Sequence, residues 1–264
     1  MVVNIDHKPI LSKRERILLH VSGLDELFHE GIPVGHSVLV EGGPGSGKTL
    51  LCLQVAYEHA KRGKKVLIMS FEEPEEQLRE HMAVFGWDTE PLEKKGVLKI
   101  KRFSALDISR SVEALLSEAK KELLIDIQPV LIPKDFTPDL VIVDSISAIS
   151  SAFSGEESRF RIYMEQFFRY MERERASSLL IREVANPTHT GGAYVEHGEA
   201  ISFLSDGIIV LYNVLYDGGR RGRAVEVLKM RGDDIKRGIY EGEIRRGKGW
   251  IVSKKLLSGK QTLT

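Results

Sequence analysis

Eight consecutive residues, Gly42-Gly43-Pro44-Gly45-Ser46-Gly47-Lys48-Thr49, constrain this chain more than any other stretch of it. The apolar run Val38-Leu39-Val40 before them reads as a buried strand, and Lys48 to Arg62 after them as a helix stopped by Gly63. A strand, a glycine-rich turn and a helix opening on Lys-Thr together form a cradle for phosphate. Glycines let backbone N–H groups converge where side chains would obstruct them, and the helix contributes its positive end.

The pattern is a complete G-x-x-x-x-G-K-[ST]. In it, Lys48 brings a full charge to the β and γ phosphates, and the Thr49 hydroxyl is placed to ligate Mg²⁺. ATP and Mg²⁺ are therefore the expected cofactors. A second anchor for the metal belongs on a neighbouring strand. Asp144, closing the aliphatic run Leu140-Val141-Ile142-Val143, fits it; an acidic cap at a strand end is the other reading. Glu72 and Glu73 follow the strand Val66 to Ser70 and share its carboxyl-terminal edge with the cradle. They either orient and activate an attacking water or simply complement the N-terminus of the helix Pro74 to Phe85.

The strands at 38–40, 66–70, 140–143, 179–181 and 208–211 are short and wholly apolar, and most alternate with helical segments. That pattern predicts an α/β fold, a mostly parallel sheet covered on both faces. Val97 to Ile100 reads as an edge strand and Ile108 to Leu124 as a helix. The proline-bearing stretch Gln128 to Leu140 reads as a loop, and Phe160, Met164, Phe167, Phe168 and Met171 as a core-facing helical stripe. Alternation in 224–230 and the stretch 238–252 predict antiparallel strands closing the sheet. One ATPase domain over 20–253 is expected, with an arm at 1–19 and a tail at 254–264.

Cys52 is the single cysteine, and no run approaches about 18 uninterrupted apolar residues, so a cytoplasmic protein without a membrane partner is expected. Basic and acidic residues balance at 38 each, which does not announce a nucleic-acid binder. The balance is local only: residues 217–260 carry thirteen Lys or Arg against six Asp or Glu.

Further residues extend the pattern in order. Ser22-Gly23-Leu24-Asp25-Glu26-Leu27, Gly31-Ile32-Pro33, the cradle, Ser70-Phe71-Glu72-Glu73-Pro74 and Phe85-Gly86-Trp87 are followed by Val143-Asp144-Ser145. Then come Val195-Glu196-His197-Gly198, Ser205-Asp206-Gly207 and Leu228-Lys229-Met230-Arg231-Gly232. Over roughly residues 20–253 the chain resembles the KaiC branch of the RecA-type P-loop ATPases, in its single-domain archaeal form or as a RadA paralog. The resemblance implies a RecA-like core, a homo-oligomeric ring (usually a hexamer) or filament, and ATP held between subunits.

It also implies roles. Glu72 and Glu73 become the catalytic pair, with Glu72 as water activator, and Glu183 falls where a γ-phosphate-sensing glutamine often stands. Lys229 and Arg231 match cations that reach the neighbouring subunit's nucleotide. Without the resemblance they read as a solvated strand face. Asp233-Asp234-Ile235 departs from the family, which often has a histidine three residues after the glycine of Lys229-Met230-Arg231-Gly232. Two functions lead, an ATPase acting on DNA in recombination or repair and a regulatory ATP switch controlling a protein partner; a metabolic kinase or another transferase using the cradle is the remaining reading. For DNA, the implied facing segments are 150–160 and 185–205, which hold few cations.

Overall fold

The computed structural model describes residues 15–28, 31–108, 110, 132–133, 135–153, 157–185, 187, 199–259 and 261–264. The helix expected over Ile108 to Leu124 lies almost wholly outside them.

The main sheet is built around β3 (Ser37–Gly42), β4 (Val66–Ser70), β5 (Leu98–Arg102), β6 (Leu140–Asp144), β7 (Ser177–Glu183) and β8 (Gly207–Tyr216). Its order is β11-β10-β9-β8-β3-β7-β6-β4-β5, with every neighbour from β8 to β5 parallel. β9 (Arg221–Met230), β10 (Ile239–Arg245) and β11 (Gly249–Leu256) continue it as an antiparallel meander. β3, β4 and β6 are buried at every position, as both-face coverage of parallel strands requires. The edge strand β5 alternates at its start and exposes its last two residues.

Alternate side chains of these strands feed two cores. Val38, Val40, Ile68, Ile142 and Ile181 pack on one face with Leu51, Val55 and Ala56 of α1 (Lys48–Lys61). Leu39, Met69, Val141, Val143 and Leu180 pack on the other with α4 (Ile146–Ala152) and α5 (Glu157–Arg173). Each fully buried aliphatic side chain contributes roughly 1.5–3 kcal/mol. The expected α5 stripe is the buried face, with two adjustments: Tyr163 joins it, and Phe168 is only partly buried. α2 (Glu75–Val84) and α3 (Glu90–Lys94) lie between β4 and β5.

Two terminal segments are drawn into this frame. β1 (Arg16–Ile17) pairs with β2 (Ile32–Pro33), Arg16 ion-pairs with Asp233 at 2.5 Å, and Leu19 is fully buried. β12 (Gln261–Leu263) pairs antiparallel with Val214–Tyr216 of β8, beyond the stretch of β8 that β3 occupies. β3 bends into the glycine turn at that point, and β12 fills the edge it vacates. Among the described residues, no helix is long and apolar enough to cross a membrane.

Candidate functional site

The cradle leaves the end of the central strand β3 and enters α1, so the sheet's carboxyl edge and a helix N-terminus meet at one place. Gly47 holds φ +96° there, and a Cβ on it would come within 2.9 Å of both Trp250 Nε1 and Ile244 Cδ1. The close approach is used: Trp250 Nε1 donates a 3.0 Å hydrogen bond to Gly47 O, and Asn213 Nδ2 a 3.1 Å bond to Pro44 O. The turn is thus fastened to β11 and β8.

Lys48 is buried, and its ammonium donates to the carbonyls of Gly42 and Gly43, both at 3.0 Å. Desolvation lowers its pKa, an effect opposed by Glu183, whose Oε1 lies 3.9 Å away, and by Asp144 and Glu72. The Ser46 hydroxyl is buried without a partner. A buried cation and an orphaned hydroxyl facing an open glycine turn suit a phosphate group.

Across the cleft, Thr49 Oγ1 donates to Asp144 Oδ2 at 2.8 Å. Asp144 is buried at the end of β6, and desolvation raises its carboxyl to about 6. The Thr49 bond counteracts this, while the nearby Glu72 and Glu73 add to it. A hydroxyl and a desolvated carboxylate in contact form a hard oxygen pair suited to Mg²⁺.

The adjacent acids have different surroundings. Glu72 Oε1 accepts from the Ser145 hydroxyl, which also accepts from Ala148 N at 3.2 Å and so caps α4. The Asp144–Ser145 peptide is cis. Glu73 is held by its backbone, its N–H donating to Ser70 Oγ at 3.1 Å, and its Oε2 lies 3.2 Å from His81 Nδ1. Glu183 ends β7 opposite Gly42 of β3.

These groups line one cleft of about 460 Å³, which contains Lys48, Thr49, Glu72, Glu73, Asp144 and Glu183. The same cleft is also lined by apolar side chains, Leu50, Leu53, Val84, Phe85 and Ile244, and by Arg223. The structure does not bring Lys229 and Arg231 to this cleft. Lys229 Nζ donates to the carbonyls of Ser202 (2.7 Å) and Ser205 (2.6 Å) around the end of α6 (Glu199–Leu204). Arg231 donates to Leu204 O at 3.3 Å and to Phe203 O, and lies 3.6 Å from Asp206.

Sequence reasoning missed the contributions of Ser145, His81, Arg223 and Ile244 to this place. Only Ser145 had a local signal, as a hydroxyl beside the strand-end acid at a helix start. Arg223 arrives through the register of β9 with β10, and Ile244 through that of β10 with β11, where it stands opposite Trp250.

A family model described as "ATPase: KaiC" matches residues 19–256. The UPF0273 protein PH0284 of Pyrococcus horikoshii is 30% identical over 82% of this chain and 85% of its own length. The circadian clock oscillator protein KaiC 1 of Synechocystis sp. is 29% identical over 90% of this chain, which spans only 45% of that relative. The crystal structure of the KaiC-like protein PH0186 from Pyrococcus horikoshii superposes with a TM-score of 0.69 at 26% identity. That match covers 90% of this chain and 99% of the other. The parallel sheet, its antiparallel extension and the matched span together establish the fold as RecA-type and the chain as a member of the KaiC ATPase family.

Proposed function

We propose that this protein binds and hydrolyses Mg²⁺·ATP as a homo-oligomer and acts as an ATP-dependent regulatory switch. The observation that carries the nucleotide reading is the convergence of Lys48, Thr49, Asp144 and Glu72 on one cleft that apolar side chains also line. In this reading Gly42 to Thr49 wrap the phosphates, Leu50, Phe85 and Ile244 face the base, and Thr49 and Asp144 hold Mg²⁺. The metal, when bound, neutralises phosphate charge.

Glu72 accepts the proton of the attacking water, and Ser145 holds its carboxylate in place. Glu73, aligned by Ser70, supports it, and Glu183 near Lys48 senses the γ-phosphate side of the cleft. Phe203 is 68% exposed beside Lys229 and Arg231, on a face that suits contact with a second subunit. We assign those two cations to the neighbour's nucleotide on assembly, where delivered charge stabilises phosphoryl transfer.

The switch reading rests on Ser145. One hydroxyl touches both the water-activating carboxylate and the first turn of α4, so a change at the γ-phosphate is felt at that helix. The test is ATP turnover by the parent chain and Lys48→Ala, each with and without single- and double-stranded DNA at low and moderate salt. Turnover that depends on Lys48 and ignores DNA supports the switch. Strong stimulation by DNA replaces it with the recombination or repair reading, and turnover unchanged in Lys48→Ala overturns the site itself.

A further inference from the structure

A second concave site lies beside the nucleotide cleft, where two strands of the meander part. The β9–β10 ladder stops at Arg223↔Gly242. Beyond it β9 stays paired with β8 as far as Arg221↔Leu215, and β10 with β11 as far as Arg245↔Gly249. The diverging ends enclose a cleft of about 560 Å³, which shares Arg223 and Ile244 with the nucleotide cleft.

Its cations are Arg220, Arg221, Arg223 and Lys255, and its acids are Glu241 and Glu243. Glu243 is neutralised by Arg245 at 2.5 Å. Among the described residues no carboxylate pairs with Arg220, Arg221 or Arg223, and Arg223 Nε is buried without a hydrogen-bond partner. The Arg220 guanidinium is stacked 3.9 Å above the Tyr216 ring. That ring lies so close over Gly222 that an added Cβ would come within 2.8 Å of it. A solvated arginine face would leave these groups spread and mobile. Here one is stacked, one has an orphaned buried nitrogen, and all line a concavity that focuses their field.

We propose that this cleft binds a phosphorylated small molecule bearing hydroxyl or amino donors, such as a sugar phosphate. The arginines take the phosphate through charge-assisted hydrogen bonds, and Glu241 accepts from the donors. Arg223 borders both clefts, so the two sites are immediate neighbours. The volume matches a metabolite-sized occupant, which sets it apart from an extended polymer.

The assignment of this cleft does not depend on ATP being the cradle's ligand, and the experiment keeps the two apart. Ribose 5-phosphate is titrated calorimetrically into the full chain after saturation with Mg²⁺ and a non-hydrolysable ATP analogue, and into Lys48→Ala without nucleotide. Binding at one site per chain is expected in both. Arg220→Ala/Arg221→Ala should weaken it about tenfold or more, with analogue affinity measured separately and unchanged. Glu241→Ala, which removes the acceptor, should weaken ribose 5-phosphate but not inorganic pyrophosphate, whose binding the lost negative charge can only favour. Absence of binding at millimolar concentration, binding that survives the double substitution, or pyrophosphate binding as tightly as the sugar phosphate overturns the proposal. Arginine-dependent capture of a single-stranded oligonucleotide without capture of ribose 5-phosphate does so as well.

Discussion

Thr49 Oγ1 and Asp144 Oδ2, contributed by α1 and β6, are hydrogen-bonded at 2.8 Å within the cleft. The contact joins a hydroxyl to a carboxylate that burial has made hard to ionise, raised to about 6. Between the ordinary aspartate value and about 6 the folded chain keeps a proton that the unfolded chain has released. This group's contribution to stability therefore falls as pH rises through that window, by on the order of 3 kcal/mol. Asp144→Asn removes the cost. The metal-free variant should melt several degrees higher than the parent at pH 7 and show a smaller difference at pH 4. The same variant should lose the Mg²⁺ dependence of its nucleotide affinity, read by titration with and without the metal. A parent chain whose affinity ignores Mg²⁺ contradicts the assignment.

Lys48→Ala removes the buried ammonium that spans the Gly42 and Gly43 carbonyls. Loss of one charge-assisted contact to phosphate should weaken Mg²⁺·ATP binding by roughly thirtyfold or more. Isothermal titration reads this directly, and an unchanged dissociation constant refutes the cradle's role.

Glu72→Gln should bind ATP normally and turn it over about a hundredfold more slowly, within the usual span for a general base. Ser145→Ala separates position from chemistry. It should lower kcat with little change in KM, and cost about 1 kcal/mol of stability through the lost cap on α4. If Glu72 only complements the following helix, turnover survives and just the melting temperature moves.

Arg231→Ala should retain ATP binding in its own cleft, from which the residue is absent, yet lose most turnover. Mixed with Lys48→Ala subunits it should regain partial activity, since some interfaces then combine an intact cradle with an intact cation. Native mass spectrometry verifies that mixed assemblies form. Mixed rings without recovery, or normal turnover by the variant alone, exclude action in trans.

His59 of α1 supplies a pH response of opposite sign. Its ring is buried, hydrogen-bonded to Leu18 O at 2.8 Å, and lowered to about 4 chiefly by desolvation. The unfolded chain takes up a proton near the ordinary histidine value, so this group's stabilisation is complete above about 6.5 and is lost as pH falls toward 4. His59→Gln should flatten the decline in melting temperature over that range. An unaltered profile would mean that other groups control it.

The elements legible in the sequence were those with a local pattern. Five aliphatic runs mark every parallel strand except the edge strand β5, and Gly42 to Thr49 mark the turn between β3 and α1. Asp144 and Glu72 could be placed at one sheet edge because strand ends in a parallel sheet share an edge. The rest of the cleft's lining obeys no such rule. Ile244 and Arg223 reach it only because β10 and β9 fold back from the far side of β8, and neither residue differs locally from a solvated strand position. The environment of Lys229 and Arg231 was equally hidden. Their alternation predicts a shared side, but their engagement with the carbonyls of α6 depends on a tertiary contact that spacing does not encode.

The central position of β3 has a consequence for how the molecule is made. Its partners come late in the chain: the Ser178 hydroxyl reaches Ser37 across 141 residues, and the Asp206 carboxylate reaches the Ser37 amide across 169. During synthesis the glycine turn emerges early, with neither flanking strand yet available. The nucleotide cleft therefore forms only when most of the polypeptide has been released, and loop closure over such distances is slow. A nascent chain halted before residue 177 should not be protected from proteolysis by ATP, whereas one extending past residue 256 should be.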